Sequence, residues 1–279
     1  MRVALDTQYG GLTGVAEDEA TFRALLPTVL EALFEPGRTA RELVLGERRA
    51  WFKGSALRGR ASLRHALRAR LLRRPIPRES EYRALGWLRD RMFQAPRPLA
   101  AGSLARFGFP SYQFLATELV PDAVPLDRAL ETASAAPRAR WLAELARETA
   151  RLHALHFVHR DLFTRNLLVA PDHGRELWFI DCWRGGDALP GRDAAWDLGC
   201  LMLDGATVFT RDEQRAFFEL YFSERGTQRR ALDLAARRKL LERAARARAA
   251  WLARVRRAPG RWRHATPPAA DWDWRELSD

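Results

Sequence analysis

Apolar residues follow two rhythms along this chain. In the first half they come mostly as short extended runs. "RELVL" and "RAWFKG" (41–45 and 49–54) read as two strands joined by a tight turn at Gly46, and "YQFLATELV" (112–120) as a buried strand ending near Pro121. Residues 21–34 have helical spacing interrupted by Pro27. The arginine-rich run from Ala56 to Arg74 predicts a helix. "RESEYRALGWLRDRM" (78–92) predicts another, with Tyr82, Leu85 and Leu88 on one face and "PRPLAAG" ending it. In the second half the period lengthens. Arg138 to Phe157 predicts an amphipathic helix with Trp141, Leu142, Leu145, Leu152 and Leu155 on its apolar side. Then comes one hairpin, "NLLVA", the turn "PDHG" and "ELWFID", and after Asp193 the pattern stays helical to about Arg257. The tail 267–279 has no clear order, and no internal repeat is present. Strands early and helices late predict an α+β protein, strand-rich in front and helix-rich behind.

A chain of 279 residues can bury a large core in one domain or two lobes, and 47% apolar residues is a globular composition. The N-terminal stretch lacks the basic and apolar segments of a signal peptide, and no apolar run is long enough to cross a bilayer. Cys182 and Cys200, the only cysteines, form no disulfide framework, so a cytoplasmic protein is expected.

Charge adds a second layer. The net charge is +12, and only Lys53 and Lys239 are lysine. Eight arginines and no acid lie between Ala56 and Arg78, and thirteen basic residues face Asp233 and Glu242 between Gln228 and His264. The rest of the chain has a net charge of −7, so the excess resides in two segments. Such segments suit a polyanion: nucleic acid, an anionic membrane surface or a phosphorylated glycan. Arginine drift on solvated helix faces gives the same pattern.

The chemistry concentrates at "HRDLFTRN" (159–166), between the long helix and the hairpin. Asp161 lies in the loop, Asn166 opens the first hairpin strand and Asp181 closes the second. The hairpin can bring all three to one end. Hard oxygen donors at a loop suit Mg²⁺, and a carboxylate beside such a metal can take a proton from an attacking hydroxyl. Lys53 ends an apolar strand in a chain that writes arginine almost everywhere; its compact ammonium can reach between phosphates. A surface lysine, a capping Asp161 and a chance strand end at Asp181 are the plain alternatives, and the combined spacing argues against them.

These residues carry a resemblance. "HRDLFTRN" with "WFID" resembles the catalytic loop and metal-binding aspartate of the protein-kinase-like superfamily. With "RAWFKG", "RESEYRALGWL" leading to "PRPLAAG", "FLATELV" and "IDCWRGG", from about Gly37 to Leu201, the chain most resembles the lipopolysaccharide core kinases, the Kdo/heptose (WaaP-like) family. The resemblance implies a two-lobed protein-kinase-like fold, with a nucleotide-binding N-lobe over 1–118 and a C-lobe over 119–279. It implies ATP and Mg²⁺ as cofactors, Asp161 as catalytic base, Asn166 and Asp181 as metal ligands, and Lys53 as the phosphate-binding lysine with Glu81 as its helix partner. Glu79 is close by, but Glu81 precedes Leu85 and Leu88 at core spacing. Glu118 and Val120 fall where backbone groups would meet adenine, and Gly37 is the one glycine of "EPGRTARE", sixteen residues before Lys53, where the family covers the phosphates. Asp193 and Asp197 resemble positions that brace the catalytic loop, although Asp193 is also a plain helix start.

The chain departs from the pattern in three places, the first being that single glycine, Gly37, where the family has several. Cys182 and Trp183 follow Asp181 in place of Phe-Gly, and the run from Asp181 to "DAAWDLGCLML" is too short to lay out a peptide. The acceptor expected is therefore a sugar hydroxyl on an anionic glycolipid, reached by peripheral contact with an anionic membrane at the inner face of the inner membrane. No nucleic acid partner is expected, since no recognised module is present. A soluble aminoglycoside- or choline-type phosphotransferase is the alternative, distinguished by its lack of membrane association. A non-catalytic pseudokinase is another, distinguished by a nucleotide-hydrolysis assay.

Overall fold

The early strands close into one antiparallel sheet. The computed structural model describes all residues except 36, 73, 108, 171–175, 192, 229–230, 258–270 and 278–279. The chain divides into two units, Met1–Pro121 and Asp122–Asp279.

The first unit contains β1 (Arg2–Thr7), β2 (Gly10–Ala16), α1 (Glu19–Ala24), α2 (Leu26–Ala32), β3 (Arg38–Leu45), β4 (Arg48–Ala56), α3 (Arg60–Leu71), α4 (Pro77–Asp90), β5 (Pro98–Arg106) and β6 (Phe109–Glu118). The sheet order is β1-β2-β5-β6-β4-β3. The turn between β3 and β4 centres on Gly46 with φ 64°. Pro27 lies in the first turn of α2, where its missing N–H costs nothing, so the expected helix over 21–34 becomes two short ones meeting at Leu25. Alternation on β4 buries Ala50 and Phe52 with Phe22, Leu25, Phe114 and Leu104 on one face. Lys53 therefore points to the other face, opposite Leu115 of β6. There α4 packs on β5 and β6 through Ala84, Leu85 and Leu88.

Three strands differ from the sequence expectation. The β1–β2 hairpin extends the sheet at one edge, and "PRPLAAG", read as a helix break, is the start of β5. Glycine and alanine hide the strand rhythm here because the strands are tightly covered. A Cβ on Gly102 would lie 2.6 Å from the Thr13 carbonyl oxygen and 2.9 Å from the Phe114 ring.

The second unit contains β7 (Val124–Pro125), α5 (Leu126–Thr132), α6 (Ala135–Ala154), β8 (Phe157–Val158), a 3-10 turn (Thr164–Asn166), β9 (Leu167–Val169), β10 (Leu177–Phe179), β11 (Gly186–Asp187), α7 (Ala194–Val208), α8 (Arg211–Gln228), α9 (Leu234–Arg257) and a 3-10 turn (Arg275–Leu277). The "PDHG" turn between β9 and β10 falls outside the described residues, as does the start of the tail. Helix α6 packs on α8 and α7 on α9. α7 is apolar almost all round and is buried accordingly. α9 reaches it at Gly199, where a Cβ would stand 2.6 Å from the Ala244 carbonyl oxygen. Phe163, Cys200, Leu203 and Leu252 form a core at this junction, with Trp196 and Trp251 packed against it.

Candidate active site

The first unit supplies a buried ion pair. Lys53 Nζ lies 3.2 Å from Glu81 Oε1, and Glu81 is 1% exposed. The second carboxylate oxygen is taken by Arg78, whose NH1 is 2.6 Å from Glu81 Oε2. Glu81 shares its helix face with Ala84, Leu85 and Leu88, which seats it against the sheet while its carboxylate meets the lysine. Burial pushes the Glu79 carboxyl above the ordinary range, against the opposing charges of Arg83 and Arg2. Gly37 has φ 90° and leads into β3, the last strand of the sheet on that side among the described residues. At the far end of β6 the Glu118 N–H donates to the Arg97 carbonyl (2.8 Å), the Leu119 N–H to the Arg49 carbonyl (3.0 Å), and Val120 is buried.

In the second unit the loop after β8 is held from below by one carboxylate. Asp197, fully buried in α7, accepts the backbone N–H groups of His159 and Arg160, each at 2.6 Å. His153 Nε2 lies 3.3 Å from the same side chain. The Trp196 indole N–H donates to the Arg160 carbonyl at 3.0 Å. The Arg160 guanidinium donates to the carbonyls of Arg184 (2.7 Å) and Asp187. These bonds hold Arg160 at φ 65°, a conformation that costs a non-glycine residue of order 1 kcal/mol and persists only where neighbours fix it. The outcome separates the two acids expected beneath the loop. Asp197 is the brace, whereas Asp193 caps α7 by accepting the Ala195 N–H (3.1 Å) and pairs with Arg243.

The held loop presents Asp161 beside the hairpin. Phe179 of β10 pairs with Leu167 of β9, so Asn166 and Asp181 emerge at the same end, and the Ile180 N–H donates to the Asn166 carbonyl at 3.0 Å. Asn166 Nδ2 donates to the Asp161 backbone carbonyl at 2.7 Å. That bond commits the amide nitrogen and leaves the carbonyl end as the ligand-type atom. Asp181 takes φ 58°. Burial pushes the Asp161 carboxyl up to about 6; the charge of Arg184, whose NH1 is 3.7 Å away, opposes the rise, and the negative charges of Asp197 and Asp181 add to it. His159 is buried and its pKa is lowered mainly by that burial, so the ring is neutral. Its Nε2 faces the Ile180 carbonyl at 3.0 Å and therefore carries the proton.

Among the described residues no three His, Cys, Asp or Glu side chains gather to hold a metal by themselves. The donor set at the hairpin end is one carboxylate and one amide oxygen, a hard pair that suits a cation sharing its shell with waters or phosphates, as Mg²⁺ does. Sequence reasoning missed Arg78, Arg184 and Trp196. Arg78 and Arg184 looked like two more arginines in an arginine-rich chain, and Trp196 like a core aromatic.

A buried acid on a braced loop, a hairpin ending in Asn and Asp, and a strand lysine paired to a helix glutamate describe a kinase-like class of protein. The sequence model of the lipopolysaccharide kinase (Kdo/WaaP) family matches residues 39–221, and the chain belongs to that family. No curated protein matches the sequence. Among solved structures the chain shares its fold with WaaP, determined in complex with acyl carrier protein: identity is 19%, the match covers 87% of this chain and 96% of the other, and the TM-score is 0.52. A divergent kinase lacking the glycine-rich loop, which regulates membrane ultrastructure of the Toxoplasma parasitophorous vacuole, matches at 13% identity over 81% of this chain and 84% of its own, with a TM-score of 0.39.

Proposed function

We propose that the chain is an ATP-dependent kinase that transfers the γ-phosphoryl group to a sugar hydroxyl of a lipopolysaccharide core or related glycolipid. The observation that carries this reading is Asp161, a buried carboxylate with its pKa raised to about 6, fixed by Asp197 beside Asn166 and Asp181 in a chain of this family. At neutral pH Asp161 is ionised and can accept the proton of the acceptor hydroxyl. The hydroxyl oxygen bonds to the γ-phosphorus, the bond to the β–γ bridging oxygen breaks, and ADP leaves. Lys53, held by Glu81, would take the phosphates; the Glu118–Val120 segment would meet the adenine through its backbone, with Gly37 at the phosphate end. Asn166 and Asp181 would hold Mg²⁺, whose charge when bound offsets that developing on the phosphates.

The short run from Asp181 to α7 favours a sugar over a peptide acceptor. The basic segments favour an anionic glycolipid reached at a membrane surface, at its cytoplasmic face. No helix among the described residues is long and apolar enough to cross a membrane, so contact would be peripheral. The test is transfer of label from γ-labelled ATP to a purified, phosphate-free core glycolipid, with an aminoglycoside and choline as soluble acceptors. Label in the glycolipid supports the reading. Label confined to a soluble acceptor contradicts the glycolipid assignment, and label in none contradicts the kinase.

A further inference from the structure

Helix α3 is built the wrong way round for a soluble surface helix. It packs on β6, and among its described side chains only His65 and Ala66 are buried. Its large residues face outward. Leu63, Leu67 and Leu71 recur at every fourth position, so they stack on one face, and Leu72 follows at the C-cap. They are 49%, 46%, 74% and 60% exposed. Arg60 and Arg64 are exposed on the same helix, with Arg58 before it and Arg74 after it. No acid lies between Ala56 and Arg78. A leucine stripe flanked by arginines is the composition of a helix that lies in a lipid interface, apolar face in the acyl boundary and cations at the headgroups.

A second element extends the patch. The turn between β5 and β6 carries Phe107, 90% exposed, and Phe109, 43% exposed, beside the exposed Arg106. The register places this turn and α3 at the same end of the sheet. Ala56 pairs with Tyr112, and the Leu57 N–H donates to the Ser111 carbonyl, so the chain leaves β4 for α3 alongside the start of β6. Arg38 pairs with Ser55, which puts Gly37 at this end too; Glu118 lies at the other.

We propose that α3 and the β5–β6 turn form a membrane-insertion surface that seats the first unit on an anionic lipid leaflet. Leu63, Leu67, Leu71, Leu72, Phe107 and Phe109 enter the headgroup–acyl boundary, and the flanking arginines meet lipid phosphates. An acid-free, arginine-flanked apolar face is complementary in charge to an anionic bilayer, and exposed apolar patches on soluble proteins mark such contacts. The inference deepens the peripheral-membrane part of the proposed function by naming the element that docks. It also gives the docking a direction, because the sheet end that touches lipid is the one carrying Gly37.

The experiment is flotation of the full chain, without nucleotide, on vesicles of phosphatidylglycerol and phosphatidylcholine, with pure phosphatidylcholine vesicles as the neutral arm. The wild type should float with the anionic vesicles, and part of that binding should persist at 1 M salt. There the Debye length is about 3 Å and charge attraction is screened. The Leu63→Gln/Leu67→Gln/Leu71→Gln variant keeps every charge and touches no buried residue, so its circular dichroism should match the wild type. It should lose the salt-resistant fraction and bind at least about tenfold more weakly. A Phe107→Ser variant should show a smaller loss in the same direction. The inference is overturned if the triple variant floats as well as the wild type, which would make docking purely electrostatic. It is also overturned if the wild type ignores anionic vesicles, or if it sediments as a dimer that the triple variant dissociates, which would make a second copy the occupant. Label transfer to a soluble core sugar is unaffected by these outcomes, so failure here leaves the phosphotransfer reading standing.

Discussion

Asp161 shows how burial sets both chemistry and cost. Its carboxyl is raised from an ordinary 3.8 to about 6, so the fold favours the neutral form. Stability associated with this group is present below pH 3.8 and is lost as pH rises towards 6. At pH 7 the ionised form penalises the ligand-free protein by about 2–3 kcal/mol, at 1.36 kcal/mol per pH unit. Asp161→Asn should therefore raise the thermal midpoint of the ligand-free protein at pH 7 while transfer falls about 10²-fold or more, the usual contribution of a general base. Paired calorimetry and turnover assays check this; an asparagine variant less stable than wild type would show that the carboxylate is not penalised. Arg184 opposes the rise, so Arg184→Ala should move the acidic limb of the pH profile of kcat/KM to higher pH, with the wild-type limb near 6. Lys53 differs in kind. Glu81 keeps Arg78 at 2.6 Å when Lys53 is removed, so no buried carboxylate is stranded. Lys53→Met should cost about 1 kcal/mol in urea unfolding, well short of the 3–5 kcal/mol of an uncompensated buried pair, while the KM for ATP rises.

At the scale of elements, α7 determines the shape of the catalytic loop. Asp197→Ala would leave the N–H groups of His159 and Arg160 buried without their acceptor and remove what holds Arg160 in its left-handed conformation. At about 1–3 kcal/mol per unsatisfied donor, the expected loss is about 3 kcal/mol, with turnover falling further than ATP affinity. Asp197→Asn keeps one acceptor oxygen and should cost about half; equal stability in urea for all three proteins would contradict the brace. The sequence made the hairpin end legible, because "HRDLFTRN" and "WFID" flank apolar strands whose period fixes where Asn166 and Asp181 emerge. It made the β3–β4 pair and α4 legible for the same reason. The β1–β2 hairpin and β5 were not legible: "GGLTGVA" and "PLAAG" spend small residues where neighbouring strands and Phe114 crowd in, and small residues carry little rhythm. The division of labour between Asp193 and Asp197 was not legible either. Both start the same helix, and only the fold brings one of them under the loop.

At the scale of the whole chain, the +12 net charge is less freely available than its composition suggests. On α9, Arg248 is buried and donates to the Met202 carbonyl at 2.6 Å, Arg243 is tied to Asp193, and Arg254 lies 5.0 Å from the Trp251 ring centre. Arg243→Gln should therefore loosen the α7 N-terminus and lower stability. Arg246→Gln with Arg256→Gln, both exposed, should leave stability unchanged and weaken binding to anionic vesicles at low salt. The chain belongs to a kinase family, and its proposed catalytic parts lie in two units that each hold their residues by buried bonds: Glu81 under Lys53, Asp197 under Asp161. The most direct measurement of the central claim is label transfer from γ-labelled ATP to core glycolipid by wild type and Asp161→Ala, with ATP affinity measured in parallel by titration calorimetry. The account predicts labelled glycolipid with the wild type, about 10²-fold less or lower with the variant, and similar ATP affinity for both. Equal transfer by the two proteins would contradict it.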